Sequence, residues 1–187
     1  EAHGLALAAV NAPQLSVVSG PSDAVARFEQ TLADEGIAVR RLHTSHAFHS
    51  AMMDSILSPF AEVMRSVRLS PPAIPYISNV TGTWITAGQA TDPAYYAQHL
   101  RQAVRFADGL AVLAEEPSRA LLEVGPGRTL VTLARQHGAI GHTRAVVASL
   151  PGPAGTRTAA AGDLSADDQA FALMALGRLW LAGITPD

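Results

Sequence analysis

Ala120-Leu121-Leu122-Glu123-Val124-Gly125-Pro126-Gly127 is the stretch that decides the fold. Its first five residues form a short apolar run of the kind that fills a buried strand. Gly125-Pro126-Gly127 then supplies turn chemistry, and Thr129 to Gln136 returns to helical spacing. A second apolar run, Ala145 to Ser149, reads as the next strand. Strands alternating with helices predict an α/β fold with a largely parallel sheet.

Working back from that stretch, Phe106 to Glu116 predicts a helix, and Asp92-Pro93 is a cap-plus-first-position signature for another running to about Arg101. Pro71, Pro72 and Pro75 bracket a short strand, Ile74 to Ser78, which turns at Val80-Thr81-Gly82. Met53, Ile56, Leu57, Phe60 and Met64 recur at helical spacing, with a kink or break expected at Pro59. Forward of it, Leu150 to Ser165 is rich in Pro, Gly, Ala and Thr and reads as a linker. Ala166 to Ala182 then carries Phe171, Met174, Leu176, Leu179 and Trp180 on an amphipathic helix.

The first third has a different order. Leu5 to Val10 and Leu15 to Ser19 read as strands joined by the turn Asn11-Ala12-Pro13-Gln14. A helix from Asp23 to Glu35 follows, capped by Ser22 and stopped by Gly36, and Ile37 to Leu42 reads as a third strand. Strand, strand, helix, strand is the last part of a β-α-β-β-α-β ferredoxin-like unit, whose first strand and helix are expected upstream. The start Glu1-Ala2-His3 accordingly reads as a point inside a longer chain.

Composition narrows the function classes. In 187 residues, hydrophobic side chains make up 48% and charged ones 16%, which suits a packed core rather than a disordered tail. The net charge is -3, all thirteen basic residues are Arg, and no basic stripe stands out, so a nucleic-acid partner is not expected. The absence of Cys excludes disulfides, a thiolate nucleophile and Cys-ligated metal. No apolar run approaches the ~20 residues that span a bilayer, so no membrane partner is expected either.

The densest chemical signal is Leu42-His43-Thr44-Ser45-His46-Ala47-Phe48-His49-Ser50, which holds three of the seven His residues just after a predicted strand and just before a helix. Three readings compete. His43, His46 and His49 could offer imidazoles to zinc, although steps of three fan away from one helix face and no H-E-x-x-H is present. Each could instead cap backbone groups at a strand-helix junction, the favoured reading for His43. The third reading is acid-base work in acyl transfer, in which an imidazole with an ordinary pKa of ~6.5 takes a hydroxyl proton. It needs a nucleophile on one ring nitrogen and an orienting acceptor on the other. None of the thirteen Ser residues sits in a G-x-S-x-G elbow, so the residues alone offer a base without a nucleophile. Gly125-Pro126-Gly127 lacks the rest of a phosphate-binding loop and reads as a structural turn.

Ser45-His46-Ala47-Phe48-His49-Ser50 resembles the "HAFH" motif of acyltransferase domains in modular polyketide synthases, which are similar to malonyl-CoA:acyl-carrier-protein transacylases. Other matches run in order. They are Asn11-Ala12-Pro13, Ile77-Ser78-Asn79-Val80-Thr81-Gly82, and Tyr96-Ala97-Gln98-His99-Leu100-Arg101 with Val104-Arg105-Phe106, where Tyr96 replaces the usual Trp. Leu122 to Gly127 resembles "LEVGPG", and Ala175 to Trp180 looks like the linker after the acyltransferase.

The resemblance implies part of an α/β-hydrolase-like parallel-sheet subdomain (44–149), an incomplete ferredoxin-like subdomain (1–43) and a post-acyltransferase linker (150–187). It implies transfer of a malonyl unit from malonyl-CoA to the phosphopantetheine thiol of an acyl carrier protein through a Ser ester, with no bound cofactor or metal. His46 matches the catalytic His and His99 the position whose backbone carbonyl orients that ring. Asn11 matches a position near the acyl pocket. Phe48 and His49 match residues that shape the pocket, with Phe48 crowding the place of a methyl on the malonyl α-carbon. The family's Ser in "GHSxG", its carboxylate-binding Arg and its oxyanion-hole segment all belong upstream of Glu1, so this chain alone is expected to be inactive. The implied partners are an acyl carrier protein, the upstream half of the domain and neighbouring synthase domains, in the cytoplasm. The alternatives are a non-catalytic docking module and, after it, a zinc hydrolase built on His43, His46 and His49.

Overall fold

The computed structural model describes residues 4–142, 144–152 and 167–185. They divide into two compact units, Glu1–Val112 and Leu113–Asp187.

The first unit opens with a hairpin. β1 (Ala6–Ala12) pairs antiparallel with β2 (Leu15–Ser19), and the register slips at Asn11 between Val10↔Ser16 and Ala12↔Leu15. On its other edge β1 meets Val104, through Val10 N–H to Val104 O and Val104 N–H to Ala8 O, both 2.9 Å. α1 (Ser22–Asp34) follows. Ser22 is its first residue rather than its cap, and Pro21 takes the cap position without a side-chain hydrogen bond.

The strand expected at Ile37–Leu42 does not form, and no partner strand lies beside it among the described residues. A strand exists only through cross-strand hydrogen bonds, so extended β-branched sequence without a neighbour stays irregular. The same reason reduces Ile74–Ser78 to one isolated bridge, Ile77 with Trp84.

Of the kink or break expected at Pro59, the break does not occur: α2 (Asp54–Ser66) runs through it as one helix. Proline removes one ladder donor. Here that loss falls at the sixth of thirteen residues, in a helix that packs along α4 (Pro93–Arg101). The Arg101 Nε to Asp54 Oδ1 bond of 2.6 Å ties the start of α2 to the end of α4. α4 starts as its sequence predicts, with the Asp92 carboxylate accepting from Ala94 N–H at 2.8 Å and Pro93 in the first turn. A Ser50-capped 3₁₀ turn (Ala51–Met53) leads into α2, and α3 (Ala87–Ala90), which a Thr86/Gln89 capping box starts, precedes α4. α5 (Phe106–Ala114) packs Gly109 against Ile77, where an added Cβ would lie 2.8 Å from Ile77 Cγ2.

The second unit holds the stretch that decided the fold. β3 (Leu121–Pro126) pairs parallel with β4 (Val146–Leu150), and α6 (Thr129–Gln136) connects them. Gly125 and Gly127 have φ of 142° and 112°, backbone that L side chains rarely adopt, so the turn needs glycine at both ends. The Glu123 carboxylate accepts from Leu130 N–H (3.1 Å) and Val131 N–H (2.9 Å), capping α6 from the strand. Those are the donors a phosphate would need, so the turn is structural. α7 (Asp168–Leu181) buries Ala175 and Leu179 against Val147 of β4. Most of the linker expected at Leu150–Ser165 lies outside the described residues. A mixed α/β architecture with a parallel pair is therefore what the chain forms.

Candidate active site

The His-rich loop lies in the first unit and is tied down at several points. Ser19 Oγ donates to Phe48 O at 2.6 Å, joining the end of β2 to the loop. Ser50 is buried, donates to Ala47 O at 2.6 Å and accepts from Met52 N–H, so one hydroxyl closes the loop and caps the next turn. His49 N–H donates to Leu100 O at 3.3 Å, across to the end of α4.

Within this frame the three imidazoles differ. His49 Nδ1 lies 2.7 Å from Gln102 O. A carbonyl can only accept, so Nδ1 carries the proton and Nε2 is left as the acceptor. His49 also has φ 60°, the only non-glycine residue with positive φ among the described residues. That backbone costs about 1–3 kcal/mol and persists where the surroundings fix it, as at active sites. His46, by contrast, is exposed, its Nδ1 lies 3.0 Å from the adjacent Ser45 Oγ, and its ring is 5.9 Å from that of Phe48. His43 is exposed as well. Among the described residues no three His, Asp or Glu side chains converge into a metal-ligating group, so His43, His46 and His49 do not assemble a zinc site.

His99 enters by its ring and not by its carbonyl. The two rings of His49 and His99 stand edge-on at 6.2 Å, and His99 stacks with Tyr95 at 6.4 Å and 17°. Burial, and then the neighbouring His49, hold the His99 imidazole below its usual pKa. Asn11 sits at the β1 register slip, next to the Val10–Val104 pairing, and the chain reaches Val104 just after Gln102. Phe48 is exposed on the His46 side of the loop. A groove of about 360 Å³ between α2 and α4, lined by Leu57, Ala61, Ala97, Gln98 and Arg101, also reaches Gln102.

Thus the expected pairing of His46 with the carbonyl of residue 99 is not the one formed. The geometry gives an imidazole with an orienting carbonyl, but the pair is His49 and Gln102. Sequence reading missed Gln102, Tyr95 and Ser78. A backbone carbonyl leaves no trace in residue type, and Gln102 is marked only by being the first residue past α4. The available clue was Ser50: as a cap, it puts His49 at the loop-helix junction.

The acyl transferase domain family matches residues 2–180. A phenolphthiocerol/phthiocerol polyketide synthase of Mycobacterium tuberculosis is 39% identical over 181 residues, 97% of this chain and 12% of that one. The mycoketide-CoA synthase of the same species is 42% identical over 125 residues, covering 67% of this chain and 3% of that one. Among solved structures, the acyl transferase domain of SpnD in complex with 2-(pent-4-yn-1-yl)malonyl has a TM-score of 0.87 at 42% identity, over 98% of this chain and 42% of that one. The acyltransferase domain from the second module of the salinomycin polyketide synthase has a TM-score of 0.84 at 32% identity, over 98% and 40%. The chain thus spans less than half of these solved domains and a small part of the curated synthases it matches. A family match across almost the whole sequence, with polyketide synthases as relatives and their acyltransferase domains as structural neighbours, means that this chain belongs to the acyl transferase domain family in the form carried by modular polyketide synthases.

Proposed function

We propose that the chain works as part of a polyketide synthase acyltransferase that moves a malonyl unit from malonyl-CoA to the phosphopantetheine thiol of an acyl carrier protein. Residues 1–43 belong to the smaller ferredoxin-like subdomain, 44–149 to the hydrolase-like subdomain and 150–187 to the linker. The nucleophilic Ser comes from polypeptide outside this sequence, since no G-x-S-x-G is present.

His49 is the general base, in place of His46. The observation that carries this reading is the 2.7 Å contact of His49 Nδ1 with Gln102 O on a backbone held at φ 60°. It fixes the tautomer whose Nε2 can accept a proton. Nε2 takes the Ser hydroxyl proton as the oxygen attacks the thioester carbonyl. The C–S bond breaks, the imidazolium returns the proton to the departing CoA sulfur, and a malonyl-Ser ester remains. The carrier thiol then gives its proton to Nε2 and attacks the ester, and Ser recovers the proton as it leaves. Phe48 and Asn11 border the acyl pocket, and Phe48 disfavours a methyl on the malonyl α-carbon by roughly 1–3 kcal/mol.

The test joins this chain to the remainder of an acyltransferase domain and follows labelled malonyl onto a carrier protein. His49→Ala is expected to lose about 10²–10⁴-fold in rate, while His46→Ala keeps most of it. Undiminished transfer by His49→Ala defeats the assignment. The missing serine motif also supports a second reading, a non-catalytic docking module; carrier binding with no transfer in the joined protein would favour it.

A further inference from the structure

Behind His49 stands a row of side chains for which the proton-transfer steps give no reason. Ser78 is 0% exposed, and its Oγ accepts from Tyr95 Oη–H at 2.8 Å and from the N–H groups of Val80 and Thr81 at 3.2 Å. A buried hydroxyl oxygen with three donors is fixed in place. Tyr95 is 7% exposed and packs edge-on against Tyr96 at 5.3 Å, whose hydroxyl in turn donates to Ala90 O at 2.9 Å. The Tyr95 ring also stacks with the His99 ring, and the His99 and His49 rings meet edge to face.

We infer that Ser78, Tyr95 and the His99 side chain form a positioning stack, which holds the His49 ring in the plane that keeps Nδ1 on Gln102 O. Gln102 contributes one hydrogen bond, which is lost if the ring turns about its Cβ–Cγ bond. The His99 ring supplies the second constraint, and the Tyr95–Ser78 bond anchors it to buried backbone. Edge-to-face aromatic contacts favour one orientation over its alternatives. Partial burial disfavours a charge on His99, so it serves as a neutral wall and does not compete with His49 for a proton. His99 and Tyr95 are thus positioning residues. Only the catalytic consequence rests on His49 being the base; the orientation itself does not.

The experiment is nitrogen-detected NMR of the full 187-residue chain with ¹⁵N-labelled histidine, at one pH where His49 is neutral. The wild type is expected to show His49 as a single Nδ1–H tautomer. His99→Ala is expected to give a mixture of both tautomers, and His99→Phe, which keeps a flat ring without a titrating group, to restore the single form. His49 unchanged in His99→Ala, with the rest of the spectrum intact, overturns the inference. If His99→Ala does not fold, Tyr95→Phe decides: it removes one oxygen, and a mixed His49 tautomer supports the stack while an unchanged one overturns it. In the joined domain, His99→Ala is expected to lower kcat about tenfold at constant KM, with His99→Phe recovering it; no change in kcat overturns the catalytic part. A tautomer effect together with full activity in His49→Ala would leave the stack standing and remove the base.

Discussion

His49 holds a backbone conformation that glycine adopts freely and histidine does not. The strain is set by its neighbours: Ser50 closing the loop, Leu100 O on its N–H and Gln102 O on its ring. Both His49→Gly and His49→Ala lose the imidazole, so their difference isolates the backbone. His49→Gly is expected to be more stable than His49→Ala by about 1 kcal/mol in urea denaturation. At His99 the sign of a pH effect follows from burial. Its folded pKa lies below the ordinary 6.5, so the unfolded chain binds the proton more readily. The stability it contributes is full above pH 6.5 and is lost as pH falls from there through the folded value. Denaturation midpoints measured from about pH 7.5 down to about 5 are expected to fall less steeply in His99→Phe than in the wild type.

At the scale of elements, two helix ends rest on side chains remote in sequence. α6 lacks a capping side chain at Arg128 and borrows Glu123 from β3. A carboxylate at a helix N-terminus also meets the positive end of the helix dipole. Glu123→Ala is expected to cost about 1–2 kcal/mol, read as a lowered denaturation midpoint, and Glu123→Gln less. At the C-terminal end of α5, Arg144 donates to Ala114 O at 3.0 Å and Glu116 O at 2.9 Å, with Leu113 O at 3.2 Å. These include carbonyls that a helix leaves unpaired at its C-terminus. Gly109 tests packing instead: with Ile77 Cγ2 already 2.8 Å from the place of a Cβ, Gly109→Ala is expected to destabilise by about 1–3 kcal/mol. α4 could be read from its local Asp92 cap and Pro93, and α6 from its periodicity, although its cap could not. The Ile37–Leu42 and Ile74–Ser78 strands could not, because a strand is decided by what lies beside it.

Over the whole molecule, much apolar surface faces solvent. Val124 is 83% exposed on β3, and on α7 Trp180 is 67% and Leu181 78% exposed. Large apolar side chains left in water favour association that buries them. The chain by itself is expected to self-associate as its concentration rises in analytical ultracentrifugation, and Trp180→Ser with Leu181→Ser to reduce it. An unchanged sedimentation profile in that double variant would place the sticky surface elsewhere. No helix among the described residues is long and apolar enough to cross a membrane.

What the sequence determined by itself was whatever depends on neighbours in the chain: helical periodicity, the Asp92-Pro93 start of α4, the glycine-bound turn after β3, the α/β class and the region where three His side chains cluster. Tertiary structure alone decided which imidazole in that region is oriented. His46 and His49 have the same side chain, three residues apart. They differ because the carbonyl of Gln102, more than fifty residues along the chain, comes within hydrogen-bond distance of one and not the other. A backbone acceptor has the same chemistry in every residue, so its position can be known only from where the chain folds.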